Sequence, residues 1–259
     1  MSNYEINFDD VKVKLEALYF KYNRIDFIEN DPISIPHQYK QKEDIEIMGF
    51  FASILAWGQR KTIIKSCENL NFIFERNPYD FVLNHQESDL KRCLKFVHRT
   101  FNDTDLISII NFLKDIYIKH ESLDNFFSLH ISHDDKTIEN GLIQFRLAYE
   151  NSSAFINRTK KHIASPLSGS ACKRLNMFLR WMVRKDINGV DFGIWSSINP
   201  SQLICPLDVH VIRQAYGIGI LQHEKADWKN ALYLTNQLKK MDPNDPVKYD
   251  FALFGMGVN

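Results

Sequence analysis

The chain has 259 residues, 44% of them hydrophobic and 25% charged, and its 32 basic and 32 acidic side chains cancel. That length serves one large domain or two small lobes and buries most of its apolar surface, in a composition ordinary for a soluble globular protein. No stretch approaches the ~20 apolar residues a membrane helix requires, since the longest candidate, Met48 to Gly58, is too short.

In chain order the pattern is almost entirely helical. The start, MSNYEINFDD, is acidic with no apolar core, so no secretory signal is read there. Asp9 or Asp10 is positioned to cap a first helix whose apolar residues Val11, Leu15, Leu18, Tyr19 and Tyr22 recur at helical spacing. Asn30 to His37, with Asp31-Pro32 and Ile35-Pro36, cannot continue a helix and reads as an ordered loop. Helical patterns follow from roughly Asp44 to Trp57, Lys61 to Arg76, Asp103 to His120 and Thr137 to Glu150. Asn102 or Asp103 caps the third of these, with Leu106, Ile109, Ile110 and Leu113 facing inward. Ala171 to Lys185 is a further helix with a buried stripe of Ala171, Leu175, Phe178, Leu179 and Met182. Lys173, Met177, Arg180 and Arg184 lie on another of its faces. Asp208 opens a helix, and the double turn Asp242-Pro243-Asn244-Asp245-Pro246 leads into a last apolar helix through Phe254. Neither an internal repeat nor sustained strand alternation is present.

Cys67, Cys93, Cys172 and Cys205 lie far apart with no C-x-x-C pair, which argues against zinc, an iron–sulfur cluster or a disulfide scaffold. Free thiols without a signal peptide suggest the cytoplasm. The zero net charge gives a nucleic-acid partner no global support. Its distribution is more informative, because residues 151–185 contain no Asp or Glu. They hold Arg158, Lys160, Lys161, Lys173, Arg174, Arg180, Arg184 and Lys185. This is either a phosphate-binding strip in a neutral protein or a solvated face offset by acids elsewhere. Arg99, in His98-Arg99-Thr100, reads most simply as the partner of an acid.

A glycine-bearing turn that delivers Lys173 to a helix start, followed by Asp208 heading another helix, suits lysine-nucleophile chemistry on a deoxyribose. Leu167-Ser168-Gly169-Ser170-Ala171-Cys172-Lys173-Arg174 resembles the L-P-G-V-G-x-K-[ST] hairpin of helix-hairpin-helix DNA glycosylases, including endonuclease III and the 8-oxoguanine glycosylases. Pro206-Leu207-Asp208-Val209-His210 resembles the P-V-D-V-H segment of the latter, and Leu55-Ala56-Trp57-Gly58-Gln59-Arg60-Lys61-Thr62 is similar to the L-L-S-x-Q-x-T stretch that opens their core. The segments keep the family's order and span about residues 50 to 220. Ser168 and Ala171 replace the hairpin proline and second glycine, the connection from Lys173 to Asp208 is longer than in endonuclease III, and no cysteine follows Cys205.

The resemblance implies an all-α, two-lobed fold with a cleft between lobes. One lobe would be a helical barrel over residues 46–185, ending in the hairpin helix, and the second would combine 1–45 with 186–259. It further implies a base-excision DNA glycosylase with AP lyase activity on oxidised guanine in double-stranded DNA, needing neither metal nor nucleotide cofactor. Lys173 would be the nucleophile and Asp208 the electrostatic stabiliser. Gly169, Ser170, Ala171, Arg174 and His210 would contact DNA, while Gln59 and Trp57 would approach the base. Residue by residue, Asp208 also fits an ordinary helix cap, His210 a packed or exposed helix position, and Trp57 the core. Two other functions remain open: a nucleic-acid-binding module of the same fold without chemistry, and a helical enzyme on a nucleoside-like substrate. The segments DPISIPH, GFFASILAWGQRKTII, FVHRTFN, CKRLNMFLRWMVR and KYDFALFG also resemble a bacterial family of unknown function.

Overall fold

The structure, a computed structural model, describes residues 7–257; most of the acidic start, where no secretory signal was read, lies outside them. The chain is predominantly helical, as expected. It divides into two compact units: the chain up to Phe27 with His133–Ile138 and the chain from Ser165 onward, and Ile28–Ser132 with Glu139–Ala164. Among the described residues no helix is long and apolar enough to cross a membrane.

Helix α1 (Phe8–Tyr22) buries Leu15 and Tyr19. Its cap is Asn7, whose side chain accepts from the Asp9 and Asp10 amides. Asp9 and Asp10 therefore fill the first turn rather than cap it, where their charge suits the positive end of the helix dipole. After the single turn α2 (Asp26–Glu29), the proline-rich segment expected to be a loop forms two 3-10 turns, Pro32–Ser34 and Pro36–Gln38. Each begins on a proline, whose fixed φ and missing N–H suit a first helical position.

The unit holding Ile28–Ser132 contains α3 (Lys42–Ile54), α4 (Arg60–Ile73), α5 (Pro78–Asn84), a two-stranded hairpin of β1 (Val97–His98) and β2 (Phe101–Asn102), α6 (Asp103–His120), α7 (Leu123–Ser128) and α8 (Glu139–Glu150). Asn102 closes a reciprocal capping box with Asp105 at the start of α6, and Leu106, Ile109, Ile110 and Leu113 are fully buried. The core is aromatic: the Phe145 ring lies 5.2 Å from Phe127, 5.2 Å from Phe112 and 5.6 Å from Phe50. Buried Glu46 is matched by the Tyr117 hydroxyl at 2.8 Å and the Leu123 amide at 3.1 Å. Such pairing is what makes a buried carboxylate tolerable.

The other unit adds α9 (Lys173–Val183), α10 (Val209–Gly217), α11 (Trp228–Met241) and α12 (Tyr249–Met256). Helix α9 thus groups with segments near both termini. Two buried arginines supply the reason. Arg180 bonds Asp191 at 3.2 Å and also Asp250, and Arg184 bonds Asp191 at 2.9 Å, Asp245 at 2.8 Å and the Tyr19 hydroxyl at 2.7 Å. Helix α11 has no counterpart in the sequence reading, although Asp227 caps it and Trp228, Ala231, Leu234, Leu238 and Met241 form a buried stripe.

Candidate functional site

The turn before Lys173 is built from local bonds. The Ser165 hydroxyl accepts the Leu167 amide at the start of the 3-10 turn Pro166–Ser168, and Gly169 ends it at φ 74°. Glycine occupies that left-handed conformation without steric cost. The Gly169 amide donates to the Pro166 carbonyl at 2.8 Å, and its carbonyl accepts from Trp228 N at 3.0 Å, which clasps the turn to the start of α11. Ser170 pairs with Asp227 in a bridge and accepts from the Cys172 amide at 3.1 Å. Cys172, left-handed at φ 49°, then redirects the backbone so that Lys173 is the first residue of α9.

Asp208 caps α10. Its Oδ1 accepts from the His210 and Val211 amides, both at 2.9 Å, while Oδ2 lies 3.7 Å from Lys173 Nζ. The two oxygens divide their work between holding the backbone and facing the amine. Both side chains keep a solvent-facing part, 28% for Lys173 and 21% for Asp208. A group missed in the sequence completes the site. Burial pushes the Asp250 carboxyl up to about 6; Arg180 opposes the shift, Asp208 adds to it, and Lys173 opposes it. Its signal was an acid inside the apolar run Tyr249-Asp250-Phe251-Ala252-Leu253, since an unpaired acid is almost never fully buried. Cys205 is fully buried, and burial, with Asp250 and Asp208 adding, raises its thiol well above the ordinary value, so it is not a nucleophile here.

The cationic stretch is largely neutralised. Arg180 and Arg184 are 5% and 2% exposed and sit in the ion-pair network above. Arg158 pairs with Asp105 at 3.3 Å and Lys160 with Glu150 at 2.8 Å. The strip read along 151–185 is therefore not one continuous phosphate-binding face. The acids that offset it come from before and after the stretch, where a local count cannot see them. Lys161 and Lys185 are exposed; Arg174 is half-buried, and burial lowers its guanidinium from the ordinary value.

The model of the family described as protein of unknown function (DUF2400) matches residues 31–259. The chain belongs to this family. No curated protein and no solved structure matches it.

For this DUF2400 member, the remaining expected site residues are distributed as follows. Gly169 and His210 are exposed, Ser170 is half-exposed, and Ala171 is buried with its carbonyl accepting from Asn176 Nδ2 at 2.9 Å. Gln59, exposed, precedes α4, and Trp57 is half-buried; both belong to the other unit. Trp57 is not a plain core residue, because the Arg99 guanidinium lies 4.8 Å from its ring centroid and His98 sits edge-on at 6.0 Å. Arg99 stacks on this indole instead of pairing with an acid. Among the described residues no group of three or more His, Cys, Asp or Glu is placed to hold a metal ion. Two surface hollows have linings that include neither Lys173 nor Asp208. One is lined by Asn77, Asp80, His85 and Arg92, the other by His133, Asn199, Gln202 and Lys239.

Proposed function

We propose that this protein is a DNA glycosylase with AP lyase activity, acting on oxidised guanine in duplex DNA through Lys173. The observation that carries the reading is the approach of Lys173 Nζ to Asp208 Oδ2 at 3.7 Å, from a turn and a helix cap far apart in sequence. The helix-hairpin-helix arrangement is part of the same reading, with Leu167–Cys172 as the hairpin and α9 as its second helix.

The flipped nucleotide presents C1′ to the amine. The glycosidic C1′–N bond breaks with its electron pair leaving on the base, which takes up a proton. The Nζ lone pair forms a new bond to C1′, after Lys173 has given up a proton to solvent. Asp208 Oδ2 faces the positive charge that grows on the sugar, and the backbone amides on Oδ1 keep that carboxylate in place. Sugar ring opening yields the Schiff base. Loss of a C2′ proton then expels the 3′ phosphate and nicks the strand, and water releases Lys173. Gly169, Ser170, Ala171, Arg174 and His210 are the proposed DNA contacts, and Gln59 and Trp57 the proposed base contacts.

Borohydride trapping on duplex DNA carrying 8-oxoguanine tests this. The wild type should form a covalent adduct and Lys173→Gln none. Tight duplex binding by the wild type, with no adduct or cut on any of a panel of damaged bases, would replace this reading with a binding module that lacks chemistry.

A further inference from the structure

Arg99 occupies a position that a folded chain seldom gives to an arginine. With Thr100 it forms the two-residue turn between β1 and β2, where His98 pairs with Phe101. Its φ is 56°, a left-handed conformation that such turns usually assign to Gly, Asn or Asp. The side chain is nevertheless fixed. Its guanidinium lies over the Trp57 ring at 4.8 Å and against Gly58, where an added Cβ would come within 2.7 Å of Arg99 Nη1. Gly58 is itself at φ 109°, so both the aromatic platform and the vacancy beside it are shaped around this one cation.

Among the described residues no carboxylate makes an ion pair with Arg99. The contrast is with Arg158, which reaches the same hairpin through the Thr100 carbonyl at 3.1 Å and is tied to Asp105 at 3.3 Å. The positive charge at this corner is reinforced, since Arg60 and Lys61 follow Gly58 in the first turn of α4, which contains no acid. Cations at a helix start are unfavourable toward the dipole, so the field here is positive from two causes. A guanidinium held over an aromatic face keeps its outer N–H donors parallel, the geometry that binds two phosphate oxygens at once.

We propose that Arg99, held by Trp57 and Gly58, is a pre-set receptor for a backbone phosphate of nucleic acid. Arg99 is exposed and stands in an open corner, which fits a phosphodiester supplied by a polymer that finds further contacts elsewhere. The choice of DNA as that polymer rests on the function proposed above; the phosphate chemistry does not. Strain at Arg99 is consistent with a site, because unfavourable backbone states persist where the surroundings hold them for a purpose.

The test is binding of the full chain to an undamaged 20-base-pair duplex by fluorescence anisotropy across a salt series, with inorganic phosphate as competitor. Arg99→Ala should weaken binding several-fold and make the log–log salt slope shallower by about 0.9, the value for one lost phosphate contact. Arg99→Lys keeps the charge and should retain most of the slope while still losing affinity, because the planar fork is gone. Gly58→Ala leaves every charge in place and should reproduce the affinity loss by pushing the guanidinium off the indole. Circular dichroism melting of each variant identifies any that fails to fold, and Arg99→Lys then carries the decision. Wild-type affinity and slope in both Arg99 variants overturn the proposal. So does competition by inorganic phosphate at concentrations that change ionic strength little, which would make this a site for free phosphate. Arg99-dependent binding without trapping at Lys173 would remove the proposed reaction and leave this receptor standing; trapping that is indifferent to Arg99 would do the reverse.

Discussion

Asp208 offers the sharpest dissection, because its two oxygens are assigned separate tasks. Asp208→Asn keeps an oxygen able to accept from the His210 and Val211 amides, and Asn and Asp are near-equal caps. Asp208→Ala removes the cap, at about 1 kcal/mol with a range of about 0.5–2. The partly exposed contact with Lys173 adds roughly 0–1 kcal/mol to either change. The alanine variant should therefore be about 1–2 kcal/mol less stable, a fall of about 2–8 °C in Tm at about 2–4 °C per kcal/mol, and the asparagine variant should stay within about 1 kcal/mol of wild type. Catalysis should order them differently. Both lose the negative charge facing Lys173, so both should trap on 8-oxoguanine DNA more slowly by on the order of a hundredfold, the scale of a removed electrostatic contact in a transition state. Urea denaturation and single-turnover trapping at pH 7 measure the two quantities. Wild-type trapping by Asp208→Asn would refute the role of the charge. An Asp208→Asn variant as unstable as Asp208→Ala would refute the division between the oxygens.

Other consequences follow from the unit that contains Lys173. Arg184→Met removes the cation of half-buried Asp245 and leaves buried Asp191 with Arg180 alone, and should cost about 3–5 kcal/mol by urea denaturation, far more than a surface arginine. Asp250 has its pKa raised to about 6 in the fold, above the value near 4 of an unfolded aspartate, so the folded state binds more protons between those pH values. Its contribution must then favour folding as pH falls from about 6 toward 4 and oppose it above 6. Subtracting the stability–pH profile of Asp250→Asn from that of wild type should reveal this slope, and a difference that does not vary over that window would contradict it. Gly255 of α12 meets the Tyr22 ring of α1, and an added Cβ would collide with it. Gly255→Ala should destabilise by about 1–3 kcal/mol through overpacking, whereas Gly217→Ala, with open space at the position, should cost far less.

Much of the local structure is legible in the amino-acid sequence. Leu175, Phe178, Leu179 and Met182 of α9 are buried as their spacing required, while Ala171, expected in the same helix, is buried in the turn before it; Asn102 caps α6, and Asp208 opens α10. These features depend on residues three or four positions apart, and helical periodicity and capping act over that range. The first cap was misplaced by two or three residues because Asn7, Asp9 and Asp10 all suit the role, and only backbone geometry chose among them.

What the sequence could not express was which distant group each charge would meet. Arg180 and Arg184 were read as part of an exposed cationic face, yet Asp191, Asp245 and Asp250 bury them. Arg99 was read as the partner of an acid and found an indole. Asp208 was visible as a cap, and its meeting with Lys173 was implied by the resemblance rather than by local spacing; the 3.7 Å approach depends on where the clasped turn at Gly169 and Ser170 places α9. Helices, turns and caps are encoded by neighbours along the chain; ion-pair partners and the approach of an amine to a carboxylate are set when separate elements pack, and local spacing holds no record of that.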